Sequence, residues 1–231
     1  MVERVKVVVD TVDELSRRFT ELLQSTVQNA VQRRARLALA GGSVAERFLP
    51  RLSVVSGLSE HLEIFWCDER AVPLSDPLSN FRLARELWFE PAHFPPDQLF
   101  PLRPADDLEQ AAVHYEQLLR SAADPPLDLV LLGVGPDGHI ASLFPGDATL
   151  SSERWVEPVY GAPKPPPHRL TMTLTLLAQA PRVVVAAFGR SKAEVIAQAL
   201  LPHSELPLAL LLRRARHTEL YLDHEAASAL T

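Results

Sequence analysis

The chain has 231 residues, 47% of them hydrophobic and 23% charged, with a formal net charge of −6, which is enough apolar material for the core of one large domain spanning residues 1–231. The acidic balance excludes non-specific nucleic-acid binding, which needs clustered Lys and Arg, and it obliges any anionic substrate to meet a local cationic pocket. Cys67 is the single cysteine, which excludes an internal disulfide framework and a cysteine-based zinc site and points to a reducing compartment.

The start, Met1-Val-Glu-Arg-Val-Lys6, mixes both charge signs before a short apolar run, unlike a secretory signal, and no apolar stretch approaches membrane-spanning length. A cytoplasmic protein without a membrane partner is expected. Arg4–Val9 reads as a strand, and Thr11-Val-Asp-Glu14 offers the capping-box spacing of a helix start. Val12, Leu15, Phe19, Leu22, Leu23, Val27 and Ala30 then recur at helical spacing, giving a long amphipathic helix that ends near Gln32-Arg33-Arg34.

Strands are expected at Arg36–Ala40, Leu62–Cys67 and Asp128–Val134, and helices at Asn80–Phe89 and Asp107–Ala122. The Asp128–Val134 run is almost wholly apolar, as in strands buried on both faces. Leu170–Leu176 alternates Thr with apolar residues, Arg182–Phe188 is apolar, and Ser191–Leu201 reads as a helix opened by a Ser-Lys-Ala-Glu capping box. Leu208–Leu212 and Glu219–Asp223 close the set. The proline-rich stretches Phe94-Pro-Pro and Ala162-Pro-Lys-Pro-Pro-Pro read as surface loops. Strands interleaved with helices predict an α/β fold: a single-domain, open, mainly parallel sheet with helices on both faces, Rossmann-like. Ligands of such sheets bind beyond the carboxyl ends of the strands.

Four strand-to-loop junctions are unusual. Gly41-Gly42-Ser43 precedes a short helix, with Ser43 and Glu46 in capping-box register; glycines admit a ligand close to the backbone, and helix-start amides attract a phosphate or carboxylate. A tight turn with an ordinary cap is the alternative. Asp68-Glu69-Arg70 places three charges at a strand end, followed by Ser79-Asn80, where a solvated loop is the plainer explanation. Cys67 reads as a buried strand residue, since no base pairs with it. Gly133 to Gly146 is a glycine-rich loop presenting Asp137 and His139 two residues apart; an imidazole there can activate water, with the carboxylate orienting it. A lone loop histidine satisfying carbonyls is the alternative. Arg169 and Lys192 are cations at the remaining junctions, and Lys192 lies in a first helical turn, where the macrodipole disfavours it unless an anion is shared.

Taken together, Ala40-Gly-Gly-Ser43, Cys67-Asp-Glu-Arg-Ala-Val-Pro73 with Ser79-Asn80, Asp128 through Gly146, His168-Arg-Leu-Thr171 and Gly189-Arg-Ser-Lys192 resemble the 6-phosphogluconolactonase family, within the wider group that includes glucosamine-6-phosphate deaminases. The resemblance implies a metal-free and cofactor-free hydrolase whose partner is a small phosphorylated sugar lactone, 6-phospho-D-glucono-1,5-lactone. It implies His139 as general base, Asp137 orienting or stabilising its imidazolium, and Gly41, Gly42, Ser43, Asp68, Arg70, Arg169 and Lys192 as substrate and phosphate contacts. Val44 and Ala45 depart from the Thr-Pro that relatives often carry. The sequence sets no oligomeric state and is compatible with a monomer.

Three other functions compete. A glucosamine-6-phosphate deaminase would share the phosphate loops, but deaminase relatives follow His-Ile-Ala with Phe-Asn-Glu-Pro, where this chain has Ser142-Leu-Phe-Pro145 and no carboxylate. A non-catalytic sugar-phosphate sensor is disfavoured by retention of His139 and Asp137. A serine hydrolase lacks its Gly-x-Ser-x-Gly elbow.

Overall fold

A computed structural model describes residues 5–104, 107–121 and 124–230. Its strands are β1 (Val5–Val9), β2 (Ala35–Leu39), β3 (Leu62–Trp66), β4 (Asp68–Arg70), β5 (Leu99–Phe100), β6 (Leu129–Gly133), β7 (Val156–Val159), β8 (Arg169–Met172), β9 (Arg182–Ala187) and β10 (Thr218–Leu222). Its helices are α1 (Val12–Asn29), α2 (Ser43–Leu52), α3 (Asn80–Ala84), α4 (Leu108–Arg120), α5 (Leu174–Leu177), α6 (Ala193–Ala199) and α7 (Pro207–Arg214). Arg4 and Ala122, the outer bounds of two expected elements, lie outside the described residues.

Seven strands form one sheet in the order β1-β10-β9-β6-β2-β3-β5, with every neighbouring pair parallel. The side chains of Leu129–Leu132 and Val183–Val185 are buried on both faces, which explains their unbroken apolar runs. From β2 the chain moves outward to β3 and β5, and from β6 it moves outward to β9 and β10 in the other direction. Right-handed crossovers running opposite ways put helices on opposite faces. On one face α1 meets α2, with the Phe19 and Phe48 ring centroids 5.5 Å apart. β2 and β6 are therefore neighbours at the point where the winding reverses, and the loops after them diverge to leave a crevice. Among the described residues no helix is long and apolar enough to cross a membrane.

Thr11 caps α1 as its spacing predicts, accepting from the Glu14 amide. The helix stops at Asn29, short of Arg33, because Arg33 donates both terminal nitrogens to Asp128 at 2.6 Å. Asp128 also accepts from the Arg36 amide at 2.8 Å, so one carboxylate pins the starts of β2 and β6. Asp107 caps α4 through the Glu109 and Gln110 amides.

Several local expectations are corrected. The Thr-alternating stretch is a strand only to Met172; the Thr173 hydroxyl then donates to Arg154 O and the chain turns into α5. Leu208–Leu212, to which the sequence assigns no type, lies inside α7, which Pro207 opens from the first position. Ser191 caps nothing: a 3₁₀ turn over Arg190–Lys192 precedes α6, whose N-cap is Lys192. Ser43 is the first residue of α2, with Gly42 as N-cap and no side-chain cap bond. Asp68-Glu69-Arg70 is not a solvated loop but strand β4, which forms with β8 and β7 a second, antiparallel sheet in the order β4-β8-β7.

Candidate active site

The crevice at the reversal of winding holds a cleft of about 280 Å³. Gly41, Gly42 and Ser43 reach it from the loop after β2, Asp68 and Arg70 from β4, His139 from the loop after β6, Arg169 from β8 and Lys192 from the turn after β9. Asp137 touches the cleft through His139.

The loop after β6 is built around its histidine. The Gly135 amide donates to His139 O at 2.8 Å and the Gly138 amide to Gly135 O at 3.0 Å, closing a tight turn. The imidazole lies against the Gly135 Cα: a Cβ there would stand 2.0 Å from His139 Nδ1 and 2.5 Å from Asp137 Oδ1. Nδ1 itself is 2.5 Å from Asp137 Oδ1. A carboxylate on Nδ1 keeps the hydrogen on that nitrogen in the neutral ring and leaves the Nε2 lone pair as the basic position. Burial holds the His139 pKa below its ordinary value, against the pull of Asp137 and Asp68, with Lys164 adding to the lowering. For Asp137, partial burial works against the charged form but is outweighed by the charge and hydrogen bond of His139, so its carboxyl stays below the ordinary range. The pair thus keeps a neutral imidazole beside a fixed carboxylate.

Strand alternation separates the three charges of β4. Asp68 and Arg70 line the cleft, whereas Glu69 is fully buried. Its carboxylate accepts from the Arg70, Asn80 and Phe81 amides at 2.8 Å each and from Ser79 Oγ at 2.9 Å. Burial nevertheless raises its pKa, against those four bonds. Glu69 is therefore the anchor of the α3 start rather than a substrate contact. Asp68, also buried, accepts from Ser142 Oγ at 2.7 Å and Asn80 Nδ2 at 3.3 Å.

Arg70 and Arg169 stand directly opposite each other in the β4–β8 pairing, an arrangement that like charges disfavour. Arg70 donates Nη1 to Leu78 O, while its buried Nε has no partner. Burial lowers the Arg169 pKa, opposed by Asp68 and reinforced by Arg70. Burial also lowers that of Lys192, reinforced by Lys164 and opposed by Asp137. Among the described residues none of Arg70, Lys164, Arg169 and Lys192 is in a salt bridge. A cleft that concentrates unpaired cations in an acidic protein is a site for an anion.

The model of the family described as glucosamine-6-phosphate isomerases/6-phosphogluconolactonase matches residues 10–222. The chain belongs to that family. It is 37% identical to a 6-phosphogluconolactonase of Mycobacterium leprae over 90% of this chain and 91% of the relative. The structure of the 6-phosphogluconolactonase of Trypanosoma brucei superposes with a TM-score of 0.83 at 28% identity, over 98% of each chain. A monomeric glucosamine-6-phosphate deaminase superposes almost as well, with a TM-score of 0.82 at 28% identity over 97% of this chain and 99% of that one. Backbone shape alone therefore does not separate the family's two chemistries, and side chains in the cleft must.

In this member of the family the cleft and its lining also involve residues to which the sequence assigned no site role. Lys164, placed there by the Ala162–Pro167 loop, lines it together with Pro165. Its signal was a single cation set among prolines shortly before Arg169. Asn80 lines it too, its Oδ1 packed where a Cβ on Gly41 would come within 1.9 Å. Ser142 is fully buried and joins Asp68 to Arg169, donating to Asp68 and accepting from Arg169 Nη1 at 3.4 Å; only its contacts across the chain reveal that role. Phe144 packs on the His139 ring with centroids 4.8 Å apart.

Proposed function

We propose that this protein hydrolyses 6-phospho-D-glucono-1,5-lactone to 6-phospho-D-gluconate, the lactone-opening step of the oxidative pentose phosphate route, in the cytoplasm and with residues 1–231 as one catalytic domain. The observation that carries the reading is the His139–Asp137 pair at a cleft that also presents Arg70, Lys164, Arg169 and Lys192. Family membership narrows the reactions to two, and the ring of Phe144 against His139 favours the lactonase, because the segment after Ala141 brings no carboxylate into the cleft.

In this mechanism Arg70, Arg169 and Lys192, with the Gly41 and Gly42 amides and Ser43 at the start of α2, hold the phosphate and part of the sugar chain, an arrangement that fits the free amides of a helix start. Asp68, a carboxylate, suits a sugar hydroxyl rather than the phosphate. His139 Nε2 takes a proton from water as the oxygen attacks the lactone carbonyl carbon, and Asp137 stabilises the imidazolium that results. The bond from that carbon to the ring oxygen then breaks, and the imidazolium returns its proton to the departing oxygen. The new carboxylic acid ionises and releases one proton. An activated ester needs only a positioned water and a base, so the chain's own residues suffice.

The test is proton release from freshly prepared 6-phosphogluconolactone with spontaneous hydrolysis subtracted. Enzyme-dependent release that saturates with substrate is expected. A rate no greater than background overturns the reading.

A further inference from the structure

We propose that Lys164 is a phosphate-contacting cation of the cleft, held there by Arg169, which positions the Ala162–Pro167 loop in addition to making its own phosphate contact. The proposal rests on the phosphorylated-lactone reading and extends it to a residue in a loop that the sequence presents as mere surface.

The loop is built. The Ala162 amide donates to Pro167 O at 2.8 Å, closing its base. Ala162 is buried against Phe144 and Val159, and Phe144 in turn packs on His139. Prolines at 163, 165, 166 and 167 surround Lys164, and each fixes its own φ, which reduces the entropy lost in holding the backbone in one shape. Such rigidity is costly to explain for a solvated loop and natural for one that must hold a charge in place.

Arg169 supplies the second half of the device. Arg169 is buried, and its guanidinium donates Nη2 to Lys164 O at 2.8 Å, Nε to Pro166 O at 3.1 Å and Nη1 to Ser142 Oγ at 3.4 Å. Three of its donors are thus committed within the protein, two of them to the carbonyls of Lys164 itself and of Pro166. The guanidinium also lies over Phe144, 5.7 Å from the ring centroid. Lys164 keeps an exposed side chain that lines the cleft beside Lys192, without a salt bridge of its own. Two ammonium groups from separate segments facing one cleft repel each other, and a phosphate dianion between them turns that repulsion into two charge-assisted contacts.

The experiment compares wild type, Lys164→Met, Lys164→Arg, Arg169→Gln and the Lys164→Met/Arg169→Gln double variant. Calorimetry measures binding of 6-phosphogluconate and of inorganic phosphate, and kinetics give the ratio of kcat/KM on the phosphorylated lactone to that on unphosphorylated glucono-1,5-lactone. Lys164→Met should weaken both phosphate-bearing probes about tenfold or more and lower the ratio similarly, the scale of one charge-assisted contact. Lys164→Arg, which keeps the charge, should stay within about threefold. Arg169→Gln should weaken the probes more than Lys164→Met does, and the two losses should be less than multiplicative in the double variant, because part of the Arg169 effect passes through Lys164. Wild-type affinity in Lys164→Met overturns the proposal, as does a wild-type protein that binds neither probe. Multiplicative losses in the double variant would overturn the positioning role of Arg169 and leave it only its direct phosphate contact. Should Arg169→Gln fail to fold, Arg169→Lys keeps the charge and loses the forked donors, and it is read in the same way. The binding measurements decide Lys164 even if no lactone is hydrolysed, so failure of the proposed reaction is distinguishable from failure of this assignment.

Discussion

Gly135 and His139 are packed so closely that a methyl group on the first would lie 2.0 Å from Nδ1 of the second. The Gly135 amide holds the His139 carbonyl at 2.8 Å, and the absent side chain leaves the room that the imidazole and Asp137 occupy. The glycine therefore sets the position of the base as directly as the carboxylate does.

Gly135→Ala should consequently lower kcat about 100-fold or more, because displacing a catalytic group by about an ångström costs that much. KM should move only a few-fold, since the phosphate contacts lie on other segments. Steady-state kinetics with circular dichroism to confirm folding make the comparison; a folded variant with wild-type kcat would show that the ring position is not critical.

The segment after Ala141 bears on the choice between the family's two reactions. Ser142 is tied to Asp68 at 2.7 Å and Phe144 packs on His139, so neither position offers a carboxylate. Incubation with glucosamine 6-phosphate should release no ammonia above background. Enzyme-dependent ammonia at a rate comparable with lactone hydrolysis would reverse the assignment.

Among the described residues no group of three or more His, Cys, Asp or Glu side chains is placed to hold a metal ion. Exhaustive chelation should leave turnover intact. Activity that is lost and then restored specifically by zinc or magnesium would reveal a site assembled in another way.

What the sequence disclosed depended on how local the determining contacts are. β6 and β9 were legible because burial on both faces demands an unbroken apolar run, and the loop from Gly133 to Gly146 because its glycines, aspartate and histidine are neighbours in the chain. β4 and β7 were not: three consecutive charged residues carry no strand signal, and Asp68 to Arg70 become extended only by pairing with β8 about a hundred residues later. Leu208–Leu212 is too short an apolar run to tell helix from strand by periodicity. Lys164 escaped notice for the same reason as β4, since its place in the cleft is fixed by Arg169 and Phe144, through contacts that no local pattern displays.

The pH dependence of turnover tests the role of His139 itself. Only the neutral imidazole can accept a proton, so activity should fall as pH drops through the His139 pKa. Burial holds that pKa below the ordinary value of 6.5 in the free protein, and the acid limb of kcat/KM should therefore have its midpoint below about 6.5. A bound phosphate dianion favours the imidazolium, so the limb of kcat should lie at higher pH than that of kcat/KM. Asp137→Asn removes the charge that pulls the pKa upward; it should shift the kcat/KM limb to lower pH while reducing kcat, because the imidazolium formed during reaction loses its stabilising partner. His139→Asn should abolish the limb and cut kcat by about 10² to 10⁴, leaving KM within a few-fold. Stability carries the same sign. Between the lowered folded pKa and the unfolded value, the unfolded chain binds more protons at this residue than the folded one does, so His139 costs stability as pH falls through that window. Urea unfolding of His139→Asn should accordingly depend less on pH below about 6.5 than that of wild type. A folded His139→Asn protein with near-wild-type turnover and an unchanged pH profile would remove the histidine from the mechanism.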